Sequence, residues 1–289
     1  ADAMDNLNLL AKRITRSLNQ EIDGEFVFRV DTRLRPYGDA GPMVPSLDFL
    51  EQYFVAQGRM WERLAWLKSR VCVGPLAAQL SSLTTPFVYR RYLDFDAVAG
   101  MRELHTQLRA EKNSPDNIKL GRGGIRELEF GSQLRQLIRA GRDATLRIKP
   151  TIPALKALVN TGRMTTEQSA KLALHYRWLR RAEHVLQYRE DQQTQTLPRS
   201  DVERTDFAMA LGYSSWSELE KTLAAIREDV AIYFDGTLAG TFVGNDEINA
   251  RATSAATLDK AAPASNNREV TAERLATLGF NEPEDTASY

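Results

Sequence analysis

The chain has 289 residues, of which 43% are hydrophobic and 26% charged, a composition that predicts a globular protein of one or two domains. Its 38 basic and 38 acidic residues cancel and no apolar stretch approaches the about 18 residues of a membrane span, so we expect a cytoplasmic protein that binds neither nucleic acid nor membrane. Cys72 is the single cysteine, which excludes a disulfide within the chain and a zinc cluster built from cysteines.

The first predicted element is an amphipathic helix over residues 3–20. Apolar side chains recur there at steps of three and four, as they do on the buried face of a helix: Met4, Leu7, Leu10, Ile14 and Leu18. A strand over residues 26–35 follows. Pro36 ends this strand, because proline has no N–H group to donate to a neighbouring strand.

The predicted strand carries an acid among arginines. Residues two apart on a strand point the same way, so one face is mostly apolar and contains Phe26, Phe28, Val30, Thr32 and Leu34. The opposite face contains Arg29, Asp31, Arg33 and Arg35. Two interpretations remain open at this point. The strand is either an ordinary solvent-facing one, or a site where a carboxylate binds Mg²⁺ and guanidinium groups bind phosphate.

The remainder of the chain is dominated by helical patterns. A lone strand cannot pair its backbone, so we expect the chain to be a piece of a larger protein that is cut within its first domain. The apolar spacing predicts helices over residues 47–57, 58–71, 94–111, 124–140, 151–160, 165–190, 201–211 and 215–238. The predicted fold class is therefore α+β and mostly α.

The composition changes after Gly240. Residues 249–267 are rich in Ala, Ser, Thr and Asn and hold almost no large apolar side chain, which is typical of a flexible linker. The sequence thus divides into a first domain at 1–93, a helical domain at 94–240, a linker at 241–268 and the start of a further helical region at 269–289.

Two segments carry charged groups in patterns that could serve chemistry. On the helix at 58–71 one stripe contains Arg59, Glu62, Arg63, Trp66 and Arg70. The stripe is either a solvated face or a basic wall for an anionic substrate.

The second segment, residues 117–130, is a glycine-rich turn that opens directly into a helix. A helix N-terminus has unpaired N–H groups and a positive dipole end, so the turn could hold phosphate. The Gly-x4-Gly-Lys-Ser/Thr order of a Walker loop is absent. On spacing alone, a tight turn followed by acids that suit the helix dipole is the preferred interpretation.

Several long motifs, in order over about residues 1–240, resemble the bacterial glutamine synthetase adenylyltransferase/adenylyl-removing enzyme family. The motifs are Arg-Val-Asp-Thr-Arg-Leu-Arg-Pro-Tyr-Gly-Asp-Ala-Gly-Pro at 29–42, Gly-Arg-Met-Trp-Glu-Arg at 58–63, Phe-Val-Tyr-Arg-Arg-Tyr at 87–92, Asn-Ile-Lys-Leu-Gly-Arg-Gly-Gly-Ile-Arg-Glu-Leu-Glu-Phe at 117–130 and Asp-Gln-Gln-Thr-Gln-Thr-Leu-Pro at 191–198.

The resemblance implies a fold and one half of a bifunctional enzyme. Each half of these enzymes has a nucleotidyltransferase domain of the DNA polymerase beta type followed by a helical domain. Here residues 1–93 would be the C-terminal part of the former and residues 94–240 the latter. The motifs at 117–127 and 193–198 are similar to those of the N-terminal, adenylyl-removing half.

The resemblance also implies an activity with named partners. Inorganic phosphate would attack the adenylyl-tyrosine of modified glutamine synthetase and release ADP, and Mg²⁺ would be the cofactor. ATP and a nitrogen-signalling regulatory protein are further expected partners.

Site residues are implied by the same resemblance. Asp31 would be the catalytic, metal-binding third carboxylate of the site. Arg33, Arg35, Lys119 and Arg126 match positions that would bind phosphate or nucleotide, and Glu127 and Glu129 would be further acids.

The chain departs from the family pattern in one respect. The superfamily has a Gly-Ser turn followed by Asp-x-Asp on a strand that precedes the third carboxylate, and neither occurs upstream of Asp31. The only Asp-x-Asp, Asp94-Phe95-Asp96, lies beyond the predicted strand in a helical context. We therefore expect the isolated chain to be inactive.

Two alternatives stay open. One is the related uridylyltransferase class, which shares the fold. The other is a helical interaction module that docks glutamine synthetase or a nitrogen-signalling protein without catalysis.

Overall fold

The computed structural model of the chain forms two compact units, Ala1–Leu238 and Ala239–Tyr289. It describes residues 2–22, 25–26, 28, 30–90, 100, 103, 115–188 and 194–260. Within these residues the fold is mostly helical, as predicted. No helix among them is both long enough and apolar enough to cross a membrane.

The first unit begins with a helix and a two-stranded ladder. Helix α1 spans Asp2–Asn19, which confirms the predicted helix at 3–20. Strands β1 (Glu21–Ile22) and β2 (Glu25–Phe26) are antiparallel, and Glu21 lies opposite Phe26.

The predicted strand at 26–35 is wrong beyond Phe26. The described residues from Phe28 to Arg35 form no strand, and Phe28 and Leu34, expected on the buried face, are 59% and 65% exposed. Arg29 lies outside the described residues. The physical reason is the lack of a partner, because a strand needs a neighbouring strand for its backbone and the β1–β2 ladder ends at Phe26.

Eight further helices are present among the described residues. Their bounds are α2 Leu47–Ala56, α3 Met60–Lys68, α4 Ala77–Val88, α5 Ile125–Arg139, α6 Thr151–Asn160, α7 Thr166–Tyr188, α8 Asp201–Leu211 and α9 Trp216–Lys260. Short 3₁₀ turns lie at Gly38–Ala40 and Ala144–Leu146. The predicted helices at 47–57, 58–71, 124–140, 151–160, 165–190 and 201–211 are confirmed within a few residues at their ends.

The main hydrophobic core lies among helices α5 to α9. Leu128, Leu155, Leu179 and Leu219 are each fully buried there, one from each of α5, α6, α7 and α9. Helix α6 packs on α7, α7 on α8, and α3 contacts α5. This core fixes the positions of α5 and α7, which carry most of the candidate site.

The predicted end of the last helix at 238 is wrong. Helix α9 continues to Lys260, through the first part of the segment expected to be a linker. Four alanines at 250–256 favour this continuation, because alanine has the highest helix propensity. The predicted helix at 94–111, the domain boundary at 93/94 and the region 269–289 fall wholly or mostly outside the described residues and stay predictions.

Candidate functional site

Asp31 sits in an exposed turn and is bound by its neighbour Arg33. Its Oδ1 accepts hydrogen bonds from the Arg33 backbone N–H at 2.9 Å and from Nε at 3.0 Å, and its Oδ2 accepts one from Nη2 at 2.7 Å. These bonds from Arg33 lower the pKa of Asp31 to about 2. The carboxylate is therefore ionised at neutral pH, as a metal ligand or the partner of a phosphate-binding arginine would be.

Arg35 does not lie beside Arg33 on a shared face, as the predicted strand required. Its Nη1 donates to the carbonyl oxygen of Thr32 at 2.6 Å and its Nη2 lies 3.7 Å from Oδ1 of Asp39. Only 17% of the Arg35 side chain is exposed, against 73% for Arg33. Arg35 thus closes the turn at 32–41, and Arg33 is the more accessible of the two cations.

The described residues do not fit a magnesium ion at Asp31. Both carboxylate oxygens are engaged by Arg33. Within the described ranges there is no group of three or more His, Cys, Asp or Glu side chains that could hold a metal. One carboxylate in an ion pair is too small a ligand set for Mg²⁺.

The glycine-rich segment forms a compact turn at the start of α5. Oδ1 of Asn117 accepts hydrogen bonds from the backbone N–H groups of Lys119 at 2.9 Å and Leu120 at 2.8 Å. The N–H groups of Ile125 and Arg126 donate to the carbonyl oxygens of Ile118 and Lys119 at 3.2 and 3.0 Å. The turn itself therefore occupies donors that a phosphate would need, which favours the tight-turn interpretation of this segment.

Glu127 is buried and bonds to the glycine-rich turn. Glu127 is 6% exposed and its Oε2 accepts a hydrogen bond from the backbone N–H of Gly123 at 2.8 Å. Arg126, the second residue of α5, is half-buried. In this arrangement Glu127 holds the turn, and its expected role as a further acid stays a prediction.

Helix α9 also contacts the glycine-rich turn, through Arg227. Nη1 and Nη2 of Arg227 donate to the carbonyl oxygens of Pro115 at 2.7 Å and Asn117 at 3.1 Å. Gly123 has φ +70° and would collide with the Arg227 carbonyl oxygen if it carried a Cβ. Glycine is therefore required here both by conformation and by space.

Two motifs that lie far apart in the chain meet at this turn. The backbone N–H of Ile118 donates to Gln195 O at 2.9 Å and that of Leu197 donates to Asp116 O at 2.8 Å. Asn117 and Thr196 form an antiparallel bridge. The segment at 194–198 therefore adds a strand-like edge to the glycine-rich turn, a pairing that the sequence analysis missed because an isolated bridge has no periodic signal.

A buried carboxylate lies behind Lys119. Glu183 of α7 has a side chain only 3% exposed, and its oxygens lie 2.6 Å from Arg180 Nη1 and 3.9 Å from Lys119 Nζ. The Lys119 side chain is 40% exposed. The step of three from Arg180 to Glu183 on one helix is the sequence signal for this ion pair.

Glu129 is also engaged by α7. Its Oε1 accepts a hydrogen bond from the Tyr176 hydroxyl at 2.7 Å. Burial and this bond raise the pKa of Tyr176 to about 12. Tyr176, Arg180 and Glu183 recur at steps of four and three, so one face of α7 contacts both Glu129 and Lys119.

The two central charges of the predicted stripe at 58–71, Glu62 and Arg63, are buried. Glu62 is 4% exposed and accepts hydrogen bonds from the Arg59 backbone N–H at 2.8 Å and from the Tyr53 hydroxyl at 2.7 Å. Arg63 is 3% exposed, and its guanidinium lies 5.9 Å from the centre of the Phe87 ring. Both interpretations of the stripe are therefore wrong for its two central charges, which join α3 to α2 and α4.

The structure thus places the predicted site residues in two groups. Asp31, Arg33 and Arg35 lie in the turn after β2, and Lys119, Arg126, Glu127 and Glu129 lie in the turn at 115–124 and the first part of α5. Their roles in binding or catalysis stay predictions.

Both groups of predicted site residues lie in segments of the chain that match known proteins. Residues 1–85 match the family model of glutamate-ammonia ligase adenylyltransferase, and residues 97–238 match that of GlnD PII-uridylyltransferase. Curated relatives named bifunctional glutamine synthetase adenylyltransferase/adenylyl-removing enzyme include one from Burkholderia mallei, 42% identical over 95% of this chain, and one from Nitrosomonas eutropha, 41% identical over 95%. One from Xanthomonas campestris is 46% identical over 80%. The chain spans about 31%, 30% and 25% of these relatives' lengths.

Proposed function

Because this chain is a homologue of a segment of the bifunctional glutamine synthetase adenylyltransferase/adenylyl-removing enzymes, we propose that it acts in the covalent regulation of a glutamine synthetase. The observation that carries the proposal is one alignment at 42% identity over 95% of the chain, which joins the Asp31 turn and the helical region. Glutamine synthetase is named as the substrate of the relatives, and it is the partner that we infer for this chain.

We further propose the adenylyl-removing reaction. An oxygen of inorganic phosphate would attack the phosphorus of the adenylyl group, the bond from phosphorus to the tyrosine oxygen would break, ADP would leave and the tyrosine oxygen would take a proton. The motifs at 117–127 and 193–198 suggest this half of the bifunctional enzyme, and their packing against one another supports treating them as one unit.

The residues of the chain have distinct parts in this proposal. The ionised Asp31 would hold Arg33, whose exposed guanidinium is suited to a phosphate oxygen. Glu183 would hold Lys119 with its ammonium group partly open to solvent. A polymerase-beta-type domain around Asp31 and Mg²⁺ as cofactor belong to the same proposal, although Asp31 with the described residues does not make a magnesium site.

The test uses the longer protein that carries this segment, incubated with adenylylated glutamine synthetase, inorganic phosphate and Mg²⁺. We expect ADP release to fall at least about 100-fold in Asp31→Asn, because Arg33, the donor to the phosphate oxygen in this proposal, would lose the carboxylate that holds it, and losing one preorganised donor has about that effect. Asp48→Asn is the matched control, because Asp48 is an exposed carboxylate in the first turn of α2. Equal activity of Asp31→Asn and the control would contradict the assignment of Asp31.

The 289-residue chain should itself release no ADP, because it carries one of the three carboxylates that the family site uses. Metal-dependent ADP release by this chain alone would overturn that expectation. Binding of glutamine synthetase by the chain, measured separately, tests the non-catalytic alternative of a helical docking module. If Asp31→Asn in the longer protein abolishes the binding of glutamine synthetase but leaves ADP release intact, that alternative is favoured.

A second candidate, uridylyl transfer to a PII protein, is favoured by the match of residues 97–238 to the uridylyltransferase family model. The same longer protein, incubated with UTP and a PII protein, distinguishes the two. We expect no uridylylated PII, because residues 1–85 match the adenylyltransferase family instead.

A further inference from the structure

A cavity opens where the last turns of α7 meet α8 and the segment at 194–198. Its volume is about 520 Å³, which lies within the range of pockets that hold small organic ligands. Thr194 and Thr196 line it, and Thr196 also forms the bridge to Asn117 of the glycine-rich turn. Of the described residues that line the cavity, none is a predicted site residue, so the cavity is a separate candidate for binding.

Apolar side chains form the inner part of the cavity. Val185 and Leu186 come from α7, and Phe207 and Ala210 come from α8. Leu186 and Phe207 are 6% and 5% exposed and belong to the main hydrophobic core, so close packing fixes their positions. This wall can cover the hydrocarbon body of a ligand and remove it from water.

The charged side chains that line the cavity, among the described residues, are both acidic. Glu203 and Asp206 are three residues apart on α8 and therefore lie on the same side of that helix. Oε2 of Glu203 accepts a hydrogen bond from the Ser200 backbone N–H at 3.4 Å and so caps α8. The Asp206 carboxylate is exposed and has no bonded cation in the part of the chain that the structure describes.

An aromatic ring completes the lining. Tyr188 is the last residue of α7, three residues after Val185 and on the same side of the helix. It is 85% exposed, so its ring is accessible to a ligand. The face of an aromatic ring attracts a cation, as a carboxylate does. The ring and the acids therefore favour ligands of the same charge.

We propose that this cavity binds a small organic cation, an amine carried on a hydrocarbon body. Asp206 supplies the opposite charge, Tyr188 supplies the ring face, and the apolar wall covers the hydrocarbon. Two carboxylates, with no basic side chain among the described residues of the lining, would repel a ligand that carries phosphate. This inference does not depend on the proposed activity.

The test compares three probes of similar shape and different charge, which are phenethylamine, phenethyl alcohol and hydrocinnamate. Each is titrated into the isotope-labelled 289-residue chain while amide chemical shifts are followed by NMR. We expect the amine to bind with a dissociation constant on the order of 1 mM, which is ordinary for a ligand of this size. The alcohol should bind more weakly and the anion most weakly, and added salt should weaken binding of the amine.

Two variants test the lining. Asp206→Asn should weaken binding of the amine roughly three-fold and leave binding of the alcohol unchanged, because an exposed ion pair contributes a few-fold in affinity. Tyr188→Leu keeps an apolar side chain but removes the ring face, and it should also weaken binding of the amine. Glu220→Gln is the matched control, because it removes one carboxylate from an exposed position of α9 outside the cavity. All three positions are exposed, so the melting temperatures should stay close to that of the unaltered chain.

Several results would overturn the proposal. They are an amine that does not saturate the chain at about ten times the expected dissociation constant, an uncharged or anionic probe that binds as tightly as the amine, and equal affinities of Asp206→Asn and Glu220→Gln for the amine. Chemical shift changes confined to residues outside 185–188, 194–198 and 203–210 would also overturn it. So would a Gly-Gly-Lys-Gly-Gly peptide that binds at least as tightly as phenethylamine, because the cavity would then receive a side chain of a partner protein.

Discussion

Asp31 and Arg33 lie two residues apart in a solvent-exposed turn, and Arg33 sets the titration of the carboxylate. The pKa of Asp31 is lowered to about 2 by the hydrogen bonds and charge of Arg33. Because this folded-state pKa is depressed, the stabilisation from the pair is present above the ordinary pKa of aspartate and is lost as the pH falls toward 2.

Arg33→Gln should return the Asp31 pKa to the ordinary range of an exposed aspartate. The measurement is a carboxyl-carbon NMR titration from pH 1.5 to 6. Arg70→Gln serves as the control, because Arg70 is exposed beyond the end of α3. An Asp31 pKa that stays near 2 in Arg33→Gln would show that another group depresses it.

A variant of Glu183 tests how much its buried carboxylate stabilises the fold through Arg180 and Lys119. Glu183→Gln keeps the shape of the side chain but leaves Arg180 and Lys119 without their carboxylate. Both cations are about two-fifths exposed, so water limits the loss, and we expect the free energy of unfolding to fall by about 1–3 kcal/mol in urea denaturation. Glu220→Gln on the exposed side of α9 should change it by less than about 0.5 kcal/mol. Similar values for the two variants would refute the role of Glu183.

At the scale of elements, helix α9 contacts the glycine-rich turn so closely that only glycine fits between them. Gly123 and Gly162 both have positive φ, +70° and +67°, but a Cβ at Gly162 would meet nothing within 4 Å. Gly162→Ala should therefore lower the free energy of unfolding only by the cost of placing alanine in a left-handed backbone conformation, about 1–2 kcal/mol.

Gly123→Ala adds a collision with the Arg227 backbone to the same conformational cost. We expect a loss larger by at least about 1 kcal/mol, since packed backbone must move. Chemical denaturation of the two variants gives the difference directly. Equal losses of unfolding free energy in the two variants would mean that the α9 backbone shifts easily at Arg227.

How well the sequence predicted each element depended on whether that element needs a partner elsewhere in the chain. Helices α2, α5, α6 and α7 follow from apolar side chains three and four residues apart, because a helix satisfies its own backbone. The prediction of a strand at 26–35 was wrong beyond Phe26. Alternation of apolar and polar residues indicates which way side chains would point, but it does not show that a neighbouring strand is present to pair with the backbone. Helix α9 continues past Leu238 through a stretch with few large apolar residues, where the alanines at 250–256 favour a helix.

At the scale of the whole molecule, the candidate site was predictable as motifs but not as contacts. The sequence identified the turn at 117–124 and residues 193–198 separately, and their pairing through Ile118 and Leu197 required the fold. Likewise Glu62 and Arg63 looked like surface charges, because a helical period cannot reveal that α2 and α4 cover that face. Burial on a charged face depends on neighbours that are distant in sequence.

Lys68 provides a direct link between the helices on either side of residues 91–99. Its ammonium group donates to the Lys149 carbonyl oxygen at 2.7 Å and to Thr151 Oγ1 at 3.1 Å, which ties the end of α3 to the start of α6. Burial lowers the pKa of Lys68, yet these two acceptors would lose their partner if the group were removed.

Lys68→Met should therefore loosen α2–α4 from the helical core without unfolding that core. A loss of about 1–1.5 kcal/mol at this contact corresponds to roughly five- to ten-fold faster amide hydrogen exchange in α2–α4, with α5–α8 unchanged. Lys156→Met, an exposed lysine of α6, is the control. Faster exchange throughout α5–α8 would mean that Lys68 stabilises the whole unit, and unchanged exchange in α2–α4 would mean that the contact between α3 and α5 is sufficient to hold them.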